Sequence, residues 1–321
     1  MTSSDYQKVP DKLLVALGGN AIHPEGIRGT GQEQFDIASE AAKTLLPLLT
    51  RVPKLVVTHG NGPGVGKVLM RQAIARKRVA SMPLDICVAN SQGGISYVIM
   101  QAMQNAMSDA NCKRHITSVV CEVEVDPEDR AFENPDKPLG YFFSEEEAVS
   151  LAEEFGWIMK EDAGRGWRMV VPSPRPQKII DSEVISCLLD DGIIVITAGG
   201  GGIPVKSTTE GSLNGVEAVI DKDLTSVLLA RELGIEDLLI LTSIEHVKLN
   251  FGTEKERNLH ELSLSELKQY KREGHFSAGS MEPKIQAVIE FLESGGKQAT
   301  IAHLGQAHGA LQGIAGTRVS K

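Results

Sequence analysis

The sequence predicts an α/β fold, namely a three-layer αβα sandwich around a mainly parallel central sheet. Most of its strand-like runs are continuously apolar and β-branched, which is typical of parallel strands buried on both faces. These runs are KLLVALGG, KLVVTHG, HITSVVCEVEV, GIIVITAGGGG, DLLILTSI and QATIAHL. Helical patterns lie between them, at about 32–49, 65–80, 92–110, 224–233 and 282–293. This alternation of strands and helices favours a single α/β domain spanning 1–321.

Composition narrows the class of partner. The chain has 321 residues, 41% of them hydrophobic and 23% charged, and a net charge of -9. A nucleic-acid surface needs clustered Lys and Arg, and the sequence has no such stripe, so no nucleic-acid partner is expected. An anionic substrate must therefore meet local positive charge.

The cysteines and the apolar runs indicate a cytoplasmic chain without a membrane span. Cys87, Cys112, Cys121 and Cys187 are scattered without a C-x-x-C pair. The N-terminal MTSSDYQKVPDK has no apolar signal-peptide core. The longest apolar runs are strand-sized, well short of the roughly 20 residues that cross a bilayer. The histidines show no metal-ligand spacing, so no protein metal site is predicted.

One region departs from the α/β alternation. From about 126 to 176 the chain is rich in proline, aromatic and charged residues, holds both tryptophans and has one plausible helix, at 145–155. We interpret this segment, called the insertion below, as an ordered lid subdomain protruding from the core. The alternative is a long surface excursion without function, although loops of this length are usually functional or disordered.

Glycine clusters end three of the predicted strands. They comprise Gly18, Gly19 and Asn20, then Gly60, Asn61 and Gly62, and finally the run 199–202. Glycine lets backbone N–H groups approach a ligand closely, and ligands of parallel sheets lie beyond the carboxyl ends of the strands. Each cluster alone could be a tight turn, but three together predict an anion site. Neither G-x-G-x-x-G nor G-x-x-x-x-G-K-[ST] is present.

Two lysines occupy unusual helix positions. Lys222 and Lys284 each lie in the first turn of a predicted helix, with Asp221 and Ser280 as the expected N-caps. A lysine there opposes the helix dipole unless it serves an anion that the same N–H groups attract. Asp223 could hold either lysine in place. The alternative is that each lysine simply points to solvent.

Several motifs resemble those of the carbamate kinase family, in the amino acid kinase superfamily. They are ALGGNAI, THGNGPGVG, AGGGGIPV, AVIDKDLTSVLLA and GHFSAGSMEPKIQAVIEFLESGGK, and the resemblance runs nearly the whole length. It implies an open, dimeric αβα sandwich that transfers phosphate reversibly between ATP and carbamate. The family usually makes ATP at the end of arginine breakdown. By the same resemblance, the N-terminal part holds carbamate or carbamoyl phosphate, and about 190–321 holds ATP or ADP.

The resemblance also implies roles for individual residues. Lys222 and Lys284 match lysines that contact the transferring phosphoryl group, Asp223 matches the aspartate that organises them, and Lys137 matches a lysine that the insertion brings over the substrate. The expected substrate-binding residues are Gly18, Gly19, Asn20, Gly60, Asn61, Gly62, Gly199 and Gly200. The expected nucleotide-binding residues are Gly201, Gly202, Thr242, Ser243, Asn250, Phe251, Gly252 and Met281. Mg²⁺ is expected to bridge the nucleotide phosphates with few protein ligands.

The chain departs from the family pattern at Gly64, at Ser243 and, in small ways, within CVANSQGG. Gly64 stands where the family usually has Gln, and Ser243 where it more often has Asp. Two other functions stay open. One is another amino acid kinase, such as an acetylglutamate kinase; the other is a non-catalytic ligand sensor with the same fold.

Overall fold

The computed structural model describes residues 9–19, 24, 27–61, 63–162, 164–276 and 281–321. Within these ranges the α-helices are α1 (Gly31–Arg51), α2 (Gly64–Ala75), α3 (Leu84–Asp109), α4 (Glu145–Phe155), α5 (Ser182–Asp190), α6 (Lys222–Glu232), α7 (Leu264–Arg272), α8 (Glu282–Glu293) and α9 (Ala307–Leu311). None of the described helices is both long and apolar enough to cross a membrane.

The strands of the same ranges are β1 (Lys12–Leu17), β2 (Lys54–His59), β3 (Ile116–Ser118), β4 (Glu122–Val125), β5 (Lys137–Phe143), β6 (Met159–Glu161), β7 (Trp167–Val171), β8 (Pro176–Ile179), β9 (Ile194–Ile196), β10 (Ile203–Ser207), β11 (Leu213–Gly215), β12 (Asp237–Thr242), β13 (Lys248–Leu249), β14 (Arg257–Asn258), β15 (Glu261–Ser263), β16 (Gln298–His303) and β17 (Thr317–Ser320).

Eight of these strands form the central sheet, in the order β15-β17-β16-β12-β1-β2-β9-β3. From β16 to β3 every neighbouring pair is parallel, whereas β17 runs antiparallel to β16. Alternate residues of β1 enter different cores, because Leu14 and Ala16 pack on one face and Leu13 and Val15 on the other. Helices α1, α3 and α9 cover the second face and α5, α6 and α8 the first. The predicted three-layer α/β class is confirmed.

Some predicted boundaries were wrong. The run HITSVVCEVEV is two strands in different sheets, since β3 joins the central sheet and β4 a four-stranded sheet ordered β11-β10-β4-β8. The backbone leaves the central sheet between them, where the Cys121 N–H donates to Gln92 Oε1 at 2.7 Å. Helix α2 ends at Ala75, before the predicted 80, and α3 begins at Leu84 with Pro83 as its N-cap rather than at 92. Helices α5 and α7 were not predicted.

The insertion folds as a small antiparallel sheet, ordered β5-β7-β6, packed with α4. Helix α4 has the predicted bounds, because Ser144 and Glu147 form a capping box at its start and Gly156 ends it with φ 70°. Strands β4 and β8 flank the insertion and pair Val125 with Pro176. The chain therefore leaves and rejoins the core at neighbouring points.

Candidate active site

The N-terminus of α6 carries the most strongly charged group of side chains near the glycine loops. Asp221 is the N-cap of α6, and its Oδ1 accepts the N–H groups of Asp223 at 2.9 Å and Leu224 at 3.4 Å. This cap fixes the first turn, in which Lys222 Nζ lies 2.5 Å from Asp223 Oδ1. Lys284, in the first turn of α8, places its Nζ 3.1 Å from Asp223 Oδ2. The two lysines thus converge on one carboxylate.

These groups lie largely out of water. Asp223 is 3% exposed, and the side chains of Lys222 and Lys284 are 12% and 17% exposed. Burial alone would raise the pKa of Asp223, but the two lysine charges outweigh it and hold that pKa below its usual range. Burial, and then the charge of Lys284, lowers the pKa of Lys222 despite Asp223. The pKa of Lys284 is raised, because Asp223 outweighs its burial.

The insertion contributes a third lysine to this cluster. Lys137, the first residue of β5, donates from Nζ to Asp221 Oδ2 at 2.9 Å. Burial would raise the pKa of Asp221, yet the charge of Lys137 holds it below its usual value. The sequence predicted Asp221 only as a helix cap, and its second role was missed. Three lysines face two aspartates here, so one positive charge is in excess.

Two of the glycine loops meet beside this cluster. A Cβ on Gly60 would lie 2.8 Å from the Gly19 N atom and 3.3 Å from Lys222 Cδ, so only glycine permits this approach. The Gly18 N–H donates to the Leu241 carbonyl at 2.7 Å, which joins the end of β1 to β12. The ends of β1 and β2 therefore converge on Lys222.

The third glycine loop faces Asn61. Gly200 has φ 67°, and a Cβ there would lie 1.9 Å from Asn61 Nδ2. Both polar atoms of the Asn61 side chain are buried, and among the described residues neither has a hydrogen-bond partner. A buried amide without partners is costly, so its amide group is available to a polar ligand in this loop.

A polar network missed by the sequence analysis supports Gly199. A Cβ on Gly199 would lie 2.2 Å from His59 Nε2, and Gln92 Nε2 donates to the Gly199 carbonyl at 3.3 Å. His59 Nε2 lies 3.0 Å from Ser96 Oγ, and Nδ1 lies 3.1 Å from the Gly60 carbonyl. Burial lowers the pKa of His59 to about 4, so the ring is neutral, donating from Nδ1 and accepting at Nε2. Its adjacency to the GNG motif was the available sequence signal.

A cavity of about 340 Å³ adjoins the cluster on the side of α8. Its lining combines apolar, aromatic and charged side chains, and consists of Ser243, Ile244, Glu245, His246, Lys248, Phe251, His275, Phe276 and Met281. Met281 is the N-cap residue of α8, the helix that carries Lys284. Phe251 is 72% exposed at this cavity, and Lys248 Nζ lies 5.8 Å from the centre of its ring. An aromatic face beside an apolar wall suits a planar base.

Only some of the predicted nucleotide-binding residues line this cavity. Ser243, Phe251 and Met281 do, and His275 and Phe276 were not predicted. Thr242 instead lines a neighbouring groove beside α1. The other four predicted residues occupy turns or packed positions outside both, and they are Asn250, Gly252, Gly201 and Gly202. Their predicted nucleotide contacts stay predictions.

Three predicted residues lie outside the described part of the chain, namely Asn20, Gly62 and Ser280. Helix α8 begins at Glu282 with Met281 in the N-cap position and without a side-chain cap. Gly64 opens α2, and a Cβ there would lie 3.2 Å from the end of the Ile95 side chain, so a larger residue requires a small shift. Across the described ranges, no three His, Cys, Asp or Glu residues cluster as a metal site would need.

Comparison with known proteins gives a consistent result. The model of the "Amino acid kinase family" matches residues 11–303. The carbamate kinase of Pyrococcus horikoshii is 44% identical over 314 residues, which cover 97% of this chain and 100% of that protein. The structure of carbamate kinase from Giardia lamblia bound to citric acid superposes with a TM-score of 0.91 at 42% identity, covering 97% of this chain and 98% of that one. The same Giardia enzyme bound to AMP-PNP has a TM-score of 0.89, with the same identity and coverage.

Proposed function

The chain belongs to the amino acid kinase family, in which two relatives that are 44% identical to it are carbamate kinases, and we propose from this premise that it transfers a phosphoryl group reversibly between ATP and carbamate. The observation that carries the proposal is the convergence of Lys222 and Lys284 on Asp223, beside the glycine loops that end β1 and β2. The cluster has one positive charge in excess, which suits the anions carbamate, carbamoyl phosphate, ATP and ADP.

The proposed reaction needs no covalent nucleophile on the protein. Carbamate is already an anion, so its oxygen attacks the γ-phosphorus of ATP in line with the leaving ADP. In reverse, a β-phosphate oxygen of ADP attacks the phosphorus of carbamoyl phosphate, and carbamate leaves. Phosphoryl transfer passes through a loose transition state that is stabilised mainly by positioning and charge. Lys222 and Lys284 neutralise the equatorial oxygens of the transferring group. Asp223 holds both ammonium groups in place and supplies no proton, because its pKa is lowered.

The substrates occupy opposite sides of the lysine cluster in this proposal. The strand-end loops of β1, β2 and β9 bind carbamate or carbamoyl phosphate, with the unpartnered amide of Asn61 donating to a substrate oxygen. The cavity beside α8 binds the base of ATP or ADP, whose ring stacks on Phe251. The insertion covers the site as a lid, and Lys137 is the positive charge that it places there.

Mg²⁺ fits this arrangement as a companion of the nucleotide. The carboxylates at the site, Asp221 and Asp223, are already engaged by lysines, so nucleotide phosphate oxygens and water would hold the ion. When bound, the ion would further neutralise the phosphate charge.

We also propose a homodimer in the cytoplasm that makes ATP at the end of arginine breakdown. Helix α3 supports the dimer, because Ile86 and Tyr97 on its outer side are 42% and 51% exposed, and the space beside Gly93 and Gly94 is open. All four cysteines are free thiols, as expected in a reducing compartment. Light scattering of the purified chain tests the dimer, and a monomeric mass at micromolar concentration would contradict it.

The test of the activity is ATP formation from carbamoyl phosphate and ADP with Mg²⁺, followed with a coupled enzyme. We expect the rate of ATP formation to saturate as the concentration of either substrate is raised. In parallel, ADP formation from ATP is followed with carbamate and with N-acetylglutamate as acceptors. Turnover with N-acetylglutamate alone would favour the other kinase function, and ligand binding without turnover on any acceptor would favour a sensor.

A further inference from the structure

We propose that α2 positions the lid over the site, and that Gly66 and Arg76, near its two ends, are the positioning residues for Lys137. The proposal rests on the proposed function for the substrate that the lid covers. Its geometry is independent of that function, because both contacts join α2 to the insertion directly.

The first contact is a backbone approach at the start of α2. A Cβ on Gly66 would lie 2.2 Å from Gly140 Cα and 2.7 Å from the Gly140 N atom, closer than any real side chain allows. Both groups are backbone, so neither can rotate away. Strand β5 therefore lies against α2 only because Gly66 has no side chain, and Gly140 follows Lys137 in this same strand.

The insertion holds Gly140 in the shape that this approach needs. Gly140 has φ 69°, in the left-handed region that favours glycine. Arg168 in β7 donates from Nη2 to the Gly140 carbonyl at 3.3 Å, and its Nη1 lies 3.2 Å from Asp162 Oδ2. Contacts within the insertion therefore help to hold Gly140 in the conformation that faces α2.

The second contact lies at the other end of α2. Arg76 donates from Nη2 to Glu154 Oε1 at 2.9 Å and from Nη1 to the Glu154 carbonyl at 3.2 Å. Its guanidinium carbon lies 4.2 Å from the centre of the Phe155 ring. The planar fork thus binds the end of α4 in three ways, which a lysine cannot reproduce. Beside the first contact, Leu139 and Val171 of the insertion share one buried apolar cluster with Val65 of α2.

Helix α2 also connects directly to the substrate loop. The Gly64 N–H donates to the Asn61 carbonyl at 2.8 Å, which ties the backbone of Asn61 to the first turn of this helix. The same helix therefore sets the position of Asn61 on one side and of Lys137 on the other. Misplacement by about 1 Å of a group that acts on a transition state can cost on the order of 100-fold in rate.

The experiment compares Gly66→Ala with Gly31→Ala as a matched control. Gly31 also lies in the first turn of a helix, but a Cβ there would meet no atom within 4 Å. For Gly66→Ala we expect a higher KM for carbamoyl phosphate, a lower kcat and a loss of about 100-fold in kcat/KM. The dissociation constant of ADP should stay within a few-fold, and Gly31→Ala should match the wild type.

Hydrogen exchange of the wild type and variants reports on the insertion without requiring activity. Amides of β5 and α4 should exchange faster in Gly66→Ala, while those of β1 and β12 stay protected. Arg76→Ala, at the far end of α2, should show the same pattern, and Arg76→Lys should recover only part of the loss. If Gly66→Ala does not fold, the arginine variants carry the test.

Gly66→Ala and Arg76→Ala with wild-type kcat/KM and wild-type exchange in the insertion would overturn the proposal. An inactive wild type would instead overturn the proposed function. In that case the exchange of β5 and α4 still decides whether α2 holds the insertion.

Discussion

Asp223 is the residue on which the two lysines of the proposed site depend, because each of its oxygens accepts from a different one. Removal of either lysine should therefore leave the carboxylate paired with the other, and the fold should survive. We expect Lys222→Ala and Lys284→Ala each to lower kcat by about 10²- to 10⁴-fold, the scale of one lost transition-state charge contact. Lys297→Ala is the control, since that lysine is 69% exposed and forms an ion pair with Glu236, which is not one of the proposed site residues. Steady-state kinetics compare the variants, and a thermal melt shows whether each one folds. Near-wild-type turnover in a variant would reject the proposed catalytic role of the lysine it lacks.

Asp221 uses its two oxygens for two purposes, and a single substitution separates them. Asp221→Asn keeps an oxygen to cap α6 but presents an uncharged amide to Lys137. We expect little change in the melting temperature, together with a higher KM for carbamoyl phosphate and a lower kcat, as in Lys137→Ala. The variant with both Asp221→Asn and Lys137→Ala should lose no more kcat/KM than the more damaging single substitution, because both break the same contact. Additive losses would show that the two residues act separately.

His59 should make stability depend on pH. Burial lowers its pKa to about 4 from the usual 6.5, so the unfolded chain binds a proton first as the pH falls. The contribution of neutral His59 to the free energy of unfolding is complete above about pH 6.5. It is lost as the pH falls toward 4, and the total loss is on the order of 3 kcal/mol. Urea unfolding at pH 7 and pH 5 should show a larger loss for the wild type than for His59→Gln. Equal losses in both proteins would exclude this residue as the cause.

Residues that act through local sequence were predictable, and those that act across the fold were not. The N-cap role of Asp221 and the first-turn positions of Lys222 and Lys284 follow from neighbouring residues. The contact between Lys137 and Asp221 joins positions 84 residues apart, which no local pattern encodes. The support that His59 and Gln92 give to Gly199 comes from contacts across the fold, so the position of His59 beside the GNG motif alone did not reveal it.

At the scale of elements, strong apolar runs and caps fixed the predictions that were confirmed. Helix α4 was bounded correctly because Ser144 and Gly156 are strong end signals. The break between β3 and β4 was missed because the apolar run continues through it, although the tertiary bond to Gln92 divides the strand. Helix α7 is mostly polar on its exposed side, which hid its period from an apolar search.

Replacement of the insertion tests its proposed role as an element. Strands β4 and β8 pair Val125 with Pro176, so a short Gly/Ser linker can join them without moving either. We expect ADP affinity within a few-fold of the wild type and almost no turnover. The melting temperature should fall, because Leu139 and Val171 no longer cover Val65 and Val88. Calorimetric titration with ADP beside steady-state kinetics makes the comparison. Full turnover would contradict the proposed role of the insertion as a lid. Loss of ADP binding in a folded protein would show that the two substrates were assigned to the wrong sides.

At the scale of the whole molecule, one parallel sheet brings the two proposed substrate sides together. The loops after β1, β2 and β9 and the cavity after β12 all lie at carboxyl strand ends, which a parallel sheet places on one edge. Helices α6 and α8 direct their first turns, with Lys222 and Lys284, at the same edge. The sequence predicted that these loops lie together, because parallel strands place their carboxyl ends at one edge of the sheet. The cavity lining was only partly predicted, because His275 and Phe276 reach it from a separate segment.

Direct observation of the transferred phosphoryl group by ³¹P NMR is the most decisive measurement. Wild-type protein is mixed with carbamoyl phosphate, ADP and Mg²⁺, and Lys284→Ala serves as the matched control. We predict that the carbamoyl phosphate signal declines as the γ-phosphate signal of ATP grows in equal amount, with little inorganic phosphate until carbamoyl phosphate decomposes on its own. The control should form ATP at least about 100-fold more slowly, so that spontaneous decomposition accounts for most of its loss of carbamoyl phosphate. Decay of carbamoyl phosphate to inorganic phosphate at the buffer rate in the wild type, with no γ-phosphate signal, would contradict phosphoryl transfer by this site.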